Sequence, residues 1–503
     1  MRVLPNRQAT KAMMPHETGV IKKSPVTVEA VILLSALVVY LTCAVFNSGV
    51  LHPDEHFQIL EFAKWKLGEG TPQAMAWEHV AKIRPTLQPV LAMDVIRLCR
   101  WMSMDNPFHQ AMVMRIITAV VMLFSMRQFV KAAGRWVAHQ HRNALTAATL
   151  FFWVMPMIGV HFSSEILSTA CLLFLLSRLL RPEQPSIRDA LWMGFVAALG
   201  FEFRYQVAFA YVGILAWILA VGRYRWQIWC AAAFAFLTVV ALSTALDSWF
   251  YGRFVFAPYN YYYMNIVQHV AAAYGVSPWY TYFLQLAIIP GLALGIPILL
   301  SVCIGTFRHY RNPVVWTFWA FLLIHSAVSH KEPRFLFPLM PLMPLFLVWT
   351  YETILHKQSR FVGTMIIALL ALVNVGGLVH VLFKPVDYGK TDMMQFLCER
   401  ASGQKRYLRV KAYDGSNPFR TGPLISQFYL WQPVDVEEVW GRADAGEDFD
   451  VIVLQRKDSI DRKRLLAEGY REAYRSMPDW QNVLNKFYQT YDSDRVLIAY
   501  EKR

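Results

Sequence analysis

Charged residues are scarce in this sequence. Asp, Glu, Lys and Arg make up 17% of its 503 residues, and hydrophobic residues make up 56%. A typical soluble domain has about 25% charged residues. Several apolar runs approach or exceed the roughly 20 residues that span a bilayer, and the first of them, 27–46, contains a single charge, Glu29. The composition excludes an ordinary soluble globular protein and predicts a multi-pass α-helical membrane protein.

The sequence also lacks the cysteine spacings of disulfide-rich and zinc-binding proteins. It has six cysteines and no CxxC pair, and four of the six fall inside apolar runs, where they act as small hydrophobic residues. His52 and His56 have the spacing of some zinc ligands, but Pro53 lies between them and no third ligand is near. We therefore expect no metal site and no disulfide framework.

The surplus of positive over negative charge lies mainly in the short loops between apolar runs. With the N-terminus inside, the inside loops contain Arg127, Arg135, Arg181, Arg223 and Arg308, which is the positive-inside bias of membrane proteins. The net charge of +14 is therefore an orientation signal, and no nucleic-acid partner is expected. The eleven candidate spans are about 27–46, 111–130, 144–160, 163–180, 189–203, 206–222, 226–246, 281–305, 314–329, 335–353 and 361–383.

This topology divides the chain into three parts. Residues 1–26 form a cytoplasmic N-terminal segment, and 27–383 form the membrane domain. Its long external segment, 47–110, contains a short helix at 54–67 and an amphipathic helix at 86–102. We place the second helix at the membrane interface, with a buried helix as the alternative.

The tail differs in character from the membrane domain. Residues 384–503 contain strand-like runs at 406–413, 449–456 and 496–502, with a helix at 459–470 before the last of them. They predict a small soluble α/β domain on the external face.

The segment HPDEHFQ (52–58) follows the first span directly. Asp54 and Glu55 are costly to place beside a membrane, which indicates a use for them. A carboxylate there can accept a proton from a hydroxyl group or bind a cation. The alternative is that both acids only compensate the dipole of a helix that begins at Pro53.

A second charged segment, HKEPRFLFP (330–338), separates two apolar spans on the external face. Cations are depleted on that face, so Lys331 and Arg334 favour an anionic ligand, for which phosphate is the natural candidate. The alternative is an ordinary charged hairpin. Glu165 and Arg204 lie at the same face, and each alone would more often form a structural ion pair. The aromatic segment 247–280 fits either an interfacial belt or a surface for sugars and lipids.

The two charged segments together resemble a known family. HKEPRF (330–335) resembles the HKEERF segment of the mannosyltransferases that use dolichyl-phosphate-mannose, and HPDEHFQ is similar to the form in the GPI third-mannose enzymes. Three further segments, 76–89, 247–252 and 274–285, resemble other family motifs. Pro333 stands where the family has a second Glu, so any role of that carboxylate is lost, and Ser277 stands where the family usually has His. The tail and the compact loops leave a bacterial relative open as an alternative.

The resemblance implies a type C glycosyltransferase (GT-C) fold of about eleven spans, whose active site faces the lumen or the periplasm. The host membrane would be the endoplasmic reticulum or a bacterial inner membrane. The reaction would be an inverting transfer of mannose from a polyprenyl phosphate to a hydroxyl of a lipid-linked glycan, such as a GPI precursor. The alternatives are another polyprenyl-phosphate sugar on a bacterial glycolipid, or a lipid or sugar transporter. We expect no cofactor, and membrane lipids as the other partners.

The resemblance also assigns roles to residues. Asp54 would be the general base, with Glu55 as its helper or substitute. The donor phosphate would be bound by His330, Lys331, Arg334 and Arg204. The remaining substrate contacts would come from His52, His56, Gln58, Trp77, Glu78, Arg84, Glu165, Tyr274, Trp279 and Glu332.

Overall fold

The computed structural model describes residues 27–357, 360–402, 406–441 and 449–502. The predicted cytoplasmic segment 1–26 lies outside these residues. The described part is mostly helical, and a small sheet follows the last long apolar helix. This order agrees with the predicted α-helical membrane protein with a C-terminal α/β portion.

The helices before the sheet account for all eleven predicted spans. Six helical stretches among the described residues are long and apolar enough to cross a membrane, and the other predicted spans fall on shorter helices. The helices are α1 Val28–Phe46, α2 Pro53–Glu55, α3 Glu61–Lys66, α4 Trp77–Ala81, α5 Leu87–Trp101, α6 Pro107–Ala133, α7 Arg142–Phe151, α8 Val154–Ile158, α9 Ser164–Leu179, α10 Ile187–Phe203, α11 Ala208–Trp217, α12 Trp226–Tyr251, α13 Ala257–Tyr262, α14 Thr281–Ile288, α15 Leu292–Arg308, α16 Pro313–Ala327, α17 Met343–Thr353 and α18 Arg360–Leu382.

Local sequence signals set several of these boundaries. The Thr27 hydroxyl caps α1 by accepting a hydrogen bond from the Ala30 amide at 3.3 Å. Asn106 and Asn312 cap α6 and α16 in the same way, and in both helices a proline occupies the first turn. The predicted span 281–305 is divided into α14 and α15 because Gly291 adopts φ 81°, a left-handed conformation that glycine favours.

Two predictions about segment boundaries need correction. The predicted aromatic loop 247–280 does not begin at 247, because α12 continues to Tyr251 and α13 follows at Ala257–Tyr262. Apolar residues continue at helical spacing past residue 246. The helix therefore extends beyond the point where the mean hydropathy falls. The predicted helix 54–67 is continuous from Pro53 to Lys66, but it contains a π-helical turn at His56–Leu60.

The C-terminal part contains three more helices and seven strands. The helices are α19 Lys390–Ala401, α20 Ser459–Ala467 and α21 Asp479–Tyr488. The strands are β1 Leu408–Tyr413, β2 Arg420–Thr421, β3 Leu424–Ile425, β4 Val434–Val439, β5 Val451–Gln455, β6 Tyr470–Arg475 and β7 Leu497–Lys502. The main sheet has the order β4-β1-β5-β7-β6, in which β1 is parallel to β4 and β5 and β7 is antiparallel to β5 and β6.

Two hydrophobic cores position the site. The larger one lies among the membrane helices around fully buried aromatic residues such as Trp153, Phe318 and Trp349. The second core joins the external segment to the sheet, since Met93 of α5 and Phe108 of α6 belong to the same buried cluster as Val410 of β1. The sheet is therefore packed against the segment that contains HPDEHFQ.

Candidate functional site

Residue Asp54 enters the site from the first turn of α2. The Nδ1 atom of His52, the N-cap residue, accepts a hydrogen bond from the Asp54 amide at 3.2 Å, and Pro53 supplies the first helical residue without an amide hydrogen to satisfy. The Asp54 carboxylate thus projects from a fixed helix start just beyond the first membrane helix. Its side chain keeps 23% of its surface exposed.

Arg334 is the centre of the charge cluster. It lies on the 3₁₀ helix Pro333–Leu342 that precedes α17, and its side chain is only 9% exposed. Its Nη2 atom donates to Asp54 Oδ2 at 2.7 Å, and its Nη1 atom lies 3.2 Å from Glu165 Oε1. Its Nε atom donates to Glu332. One buried guanidinium therefore joins three carboxylates from three separate elements.

Two further arginines flank this centre. Arg204, at the end of α10, lies 2.9 Å from Glu165 and 4.8 Å from the Phe335 ring centroid. Arg84 lies 3.5 Å from Asp54 and 3.5 Å from Glu78. Positive and negative side chains thus alternate, which keeps the buried charges paired.

The arginines set the protonation state of Asp54. Burial acts to raise the pKa of Asp54, but Arg334, His52 and Arg84 beside it hold that pKa well below its usual range. Asp54 is therefore ionised at neutral pH and is able to accept a proton.

Glu332 connects His52 of HPDEHFQ with His330 of HKEPRFLFP. Its Oε1 atom lies 2.8 Å from His330 Nε2, and its Oε2 atom lies 3.3 Å from His52 Nε2. Burial acts to raise the pKa of Glu332, but Arg334 and the two histidines lower it to about 2. Glu332 is thus an ionised bridge between HPDEHFQ and HKEPR.

Glu55 and His56 of HPDEHFQ have partners other than Arg334. Glu55 is 7% exposed and lies 3.3 Å from His161. His56 contacts Glu61 at 2.7 Å and stacks on Tyr429 of the C-terminal part, with ring centroids 5.4 Å apart. Successive helical residues point in directions about 100° apart, so Asp54 and Glu55 cannot share one partner easily. Sequence analysis had no signal for the partners His161 and Glu61.

Several predicted substrate-binding residues lie in a second group beside the cluster. Gln58 donates to Glu78 at 2.9 Å, which links it through Arg84 to Asp54. Trp77 is the first residue of α4, and the Tyr274 ring lies 6.2 Å from the His330 ring. Tyr274 is 61% exposed, which leaves its ring free for a ligand.

Two predicted residues are placed differently from the rest. The Lys331 ammonium donates to the backbone carbonyls of Ser277, at 3.1 Å, and of Val328. Lys331 thus anchors the hairpin. In this position its ammonium does not contact Arg334. Trp279 is 65% exposed and packs on Tyr280 and Phe283.

A buried carboxylate outside the predicted set positions Arg84. Asp247 of α12 accepts hydrogen bonds from the Thr86 amide at 2.8 Å and the Thr86 hydroxyl at 2.6 Å. The Tyr251 hydroxyl donates to the Arg84 carbonyl at 3.0 Å. These contacts fix the segment 84–86 to α12. The segment DSWFYG (247–252) resembles a family motif, which indicates Asp247 and Tyr251 but not their partners.

The charge cluster borders two cavities. Asp54, Glu165 and Arg204 line a small pocket of 30 Å³ together with Arg84 and Tyr261. His52, Glu332 and Arg334 line a much larger cavity of 1630 Å³. The Asp54–Arg334 ion pair therefore links a residue of the small pocket, Asp54, to a residue of the large cavity, Arg334. A proton acceptor and a cation thus lie next to a space large enough for a substrate.

The fold matches that of a solved membrane enzyme. ArnT from Cupriavidus metallidurans, crystallised with undecaprenyl phosphate, superposes with a TM-score of 0.56 at 13% identity, covering 93% of this chain and 97% of that one. The apo form of ArnT gives a TM-score of 0.51 at 12% identity. The protein is therefore an integral membrane protein with the GT-C fold.

Sequence relatives define the family more narrowly. The chain belongs to the Alg9-like mannosyltransferase family, whose model matches residues 31–407. GPI alpha-1,2-mannosyltransferase 3 of Bos taurus is 23% identical over 345 residues, which cover 65% of this chain and 60% of the relative. That of Danio rerio is 22% identical over 365 residues, 72% of this chain and 65% of the relative. The chain thus matches less than two thirds of the length of these two relatives.

Proposed function

We propose that the protein transfers mannose from a polyprenyl phosphate to a hydroxyl group of a lipid-linked glycan, with inversion at the anomeric carbon. The family and the names of the relatives support the sugar and the class of acceptor. The observation on which the chemistry depends is the 2.7 Å contact between Asp54 and Arg334, beside the large cavity.

In the proposed reaction Asp54 is the general base. The acceptor oxygen attacks the anomeric carbon while Asp54 takes the hydroxyl proton, and the bond between that carbon and the phosphate oxygen breaks. The leaving group departs as polyprenyl phosphate and needs no strong acid, since a phosphate ester is a weak base. The depressed pKa of Asp54 keeps it ionised before the attack.

Proton uptake by Asp54 also changes the state of Arg334. A protonated Asp54 no longer provides the negative charge that Arg334 pairs with at 2.7 Å. Arg334 keeps Glu165 and Glu332, but one of its guanidinium nitrogens becomes available to the phosphate as negative charge develops there. We therefore propose that base and phosphate-binding cation are coupled through this ion pair. Arg204 contributes positive charge from its place beside Glu165.

Within the proposed site, Trp77, Glu78 and Arg84 lie on the acceptor side, with Tyr274 exposed next to them. Aromatic faces suit the apolar faces of sugar rings. Glu55 and His56 have a supporting role, because their side chains pair with His161 and Glu61 and not with Arg334.

We further propose that the site and the domain 384–503 face the lumen of the endoplasmic reticulum or the bacterial periplasm, with 27–383 as the membrane domain. The basic loops between helices support this orientation, since the topology predicted from their charge puts them on the opposite side from HPDEHFQ.

The test uses the purified protein in detergent micelles. Radiolabelled polyprenyl-phosphate-mannose and a mannose-terminated lipid-linked glycan are supplied, and the product is analysed by mass spectrometry. Transfer in micelles is expected, whereas a transporter needs a sealed compartment to produce a measurable change. Glucose and aminoarabinose donors serve as matched controls. Transfer from one of these and not from mannose would refute the proposed sugar, and no consumption of any donor would refute the enzyme.

A further inference from the structure

Helix α21 of the C-terminal part exposes its apolar face. Trp480, Val483 and Phe487 follow each other at helical spacing and are 47%, 57% and 76% exposed. We call these three residues the α21 strip. A helix on the surface of a soluble domain normally turns such a face towards the core. A contiguous exposed apolar surface of this kind indicates that the surface has a partner.

The buried face of α21 is polar. Gln481, Asn482 and Asn485 are all buried. The Asn485 side chain accepts a hydrogen bond from the Thr490 amide at 2.9 Å and donates one to the Tyr491 carbonyl at 2.6 Å. The Tyr491 hydroxyl donates to the Asn482 side chain at 2.9 Å. The helix thus uses its polar face to hold the chain that follows it, and the α21 strip cannot turn inward without breaking these bonds.

The C-terminal end of α21 is docked on α18, the last membrane helix. The Tyr488 hydroxyl donates to the Val373 carbonyl at 2.8 Å, and the Tyr488 ring stacks on the His380 ring with centroids 5.4 Å apart. A side chain at Gly376 would lie 2.3 Å from the Tyr488 hydroxyl oxygen, so this close approach requires glycine. One face of α18 therefore holds the end of α21 in a fixed place.

This docking place lies at the depth of the bilayer core. Helix α18 ends at Leu382 and fills the predicted span 361–383. Val373 precedes that end by nine residues, which is about 14 Å along the helix axis. The hydrocarbon core of a bilayer is about 30 Å thick. The end of α21 therefore lies below the membrane surface and not above it.

The surface of α18 beside the docking place faces lipid. Leu372 and Val379, each next in sequence to a residue that contacts Tyr488, are exposed on this membrane helix. Within the α21 strip, Phe487 borders the large cavity, whereas Trp480 and Val483 are not among the described residues that line it. The strip therefore lies beside the lipid-facing surface of α18, and a ligand in the cavity would leave most of the strip uncovered.

The charged residues next to the α21 strip balance each other. Asp479 and Lys486 are both exposed and have opposite charges. An acidic or basic partner protein is therefore not favoured, and burial of apolar surface would be the driving force for contact. Trp480 fits this reading, since Trp is enriched at the interface between bilayer and water.

We propose that the α21 strip inserts into the bilayer leaflet on the side of the C-terminal part and anchors that part to the membrane. Interfacial helices place their apolar face about 5–10 Å into the boundary between headgroups and acyl chains. The contact between Tyr488 and Val373 sets the depth of the helix end. The segment predicted as a soluble domain is thus held at the membrane by α21 as well as by its connection to α18. The inference does not depend on mannose transfer.

The experiment uses the full-length protein in lipid nanodiscs that hold one copy each. The exposed cysteines Cys230 and Cys303 are replaced by alanine, and the other four cysteines are buried. A cysteine is then introduced by Val483→Cys or Trp480→Cys and labelled with the fluorophore NBD. Ile460→Cys is the matched control, because Ile460 is an exposed apolar residue of α20, which packs on β6 of the sheet. The discs contain phosphatidylcholine, either ordinary or brominated on one acyl chain, since bromine quenches the fluorophore at short range.

We expect the label at position 483 to emit at shorter wavelength than the label at position 460 and to lose most of its emission in brominated discs. The label at position 480 should also be quenched, because it lies on the same strip. The label at position 460 should emit equally in both kinds of disc. Val483 and Trp480 are both exposed, so their replacement removes little packing; if one variant does not fold, the other decides the result.

Three results would overturn the proposal. The first is equal emission of the label at position 483 in both kinds of disc, at the wavelength seen for position 460, which would place the strip in water. The second is emission at shorter wavelength that brominated lipid does not quench, which would place the strip against protein. The third is equal quenching at positions 460 and 483, which would mean that the strip has no special contact with lipid. A protein whose strip is quenched by lipid but that transfers no mannose would refute the proposed function alone.

Discussion

The adjacent carboxylates Asp54 and Glu55 provide the sharpest test of the proposed reaction, because the same substitution can be made at both. Asp54→Asn keeps the size of the side chain and an oxygen for Arg334, which holds it at 2.7 Å. Arg334 also keeps Glu165 and Glu332. The variant should therefore fold, with a loss of about 1.5–3 kcal/mol from one charged hydrogen bond.

The effect of Asp54→Asn on the reaction should be larger than its effect on folding. An amide cannot accept the hydroxyl proton, and the loss of a general base slows a reaction by about 10²–10⁴. This corresponds to about 3–5 kcal/mol in the activation free energy, since each tenfold is about 1.4 kcal/mol. The assay is the initial rate of mannose transfer in micelles at saturating donor, with the folded fraction measured by size-exclusion chromatography.

Glu55→Gln is the matched control. Glu55 is 7% exposed and faces His161 at 3.3 Å, so the amide replaces a buried structural contact. Transfer by the folded Glu55→Gln protein should fall by less than about tenfold, far below the general-base effect. A near-normal rate for Asp54→Asn, or a larger loss for Glu55→Gln than for Asp54→Asn, would refute Asp54 as the base.

Three more predictions concern the residues around Asp54. Arg334→Gln leaves three carboxylates without their shared cation and should cost about 3–5 kcal/mol of stability; an unchanged thermal midpoint in micelles would contradict the central place of Arg334. Glu332 has a pKa of about 2 in the folded protein against an ordinary 4.5, so its stabilising effect is complete above about pH 4.5 and is lost as the pH falls towards 2. The thermal midpoint of Glu332→Gln should therefore fall less over that range than the midpoint of the unaltered protein. A parallel fall in both proteins would disprove the assignment. Asp247→Asn loses a charged acceptor for Thr86 and should raise the acceptor KM more than it lowers kcat, because Arg84 loses its support; the reverse pattern would argue against an acceptor-side role.

The residues of the site are far apart in the sequence, and this distance limited what sequence analysis could predict. Asp54 and Arg334 are 280 residues apart, and their separate motifs nevertheless indicated one site because both were expected on the external face. The family model over 31–407 and the GT-C fold confirm the recognition and the fold class. The assignment of individual roles stays a prediction, which the substitutions above address.

Sequence analysis could not rank the members of the two motifs. HPDEHFQ offers four titratable side chains, and the helix that begins at Pro53 sends Asp54 towards Arg334 and Glu55 towards His161. In HKEPR, Arg334 enters the charge cluster while Lys331 bonds two backbone carbonyls. The direction of each side chain depends on its phase along the helix and on its neighbours from distant segments.

The amino-acid sequence by itself determined the membrane class, the positions of the apolar helices and the two charged motifs, because hydropathy and charge act along the chain and need no partner. The pairing of Arg334 with three carboxylates and the burial of Lys384 beside the large cavity were decided only by the tertiary structure. These features arise where segments far apart in sequence pack together, and the energy of a buried charge depends on which groups that packing places around it.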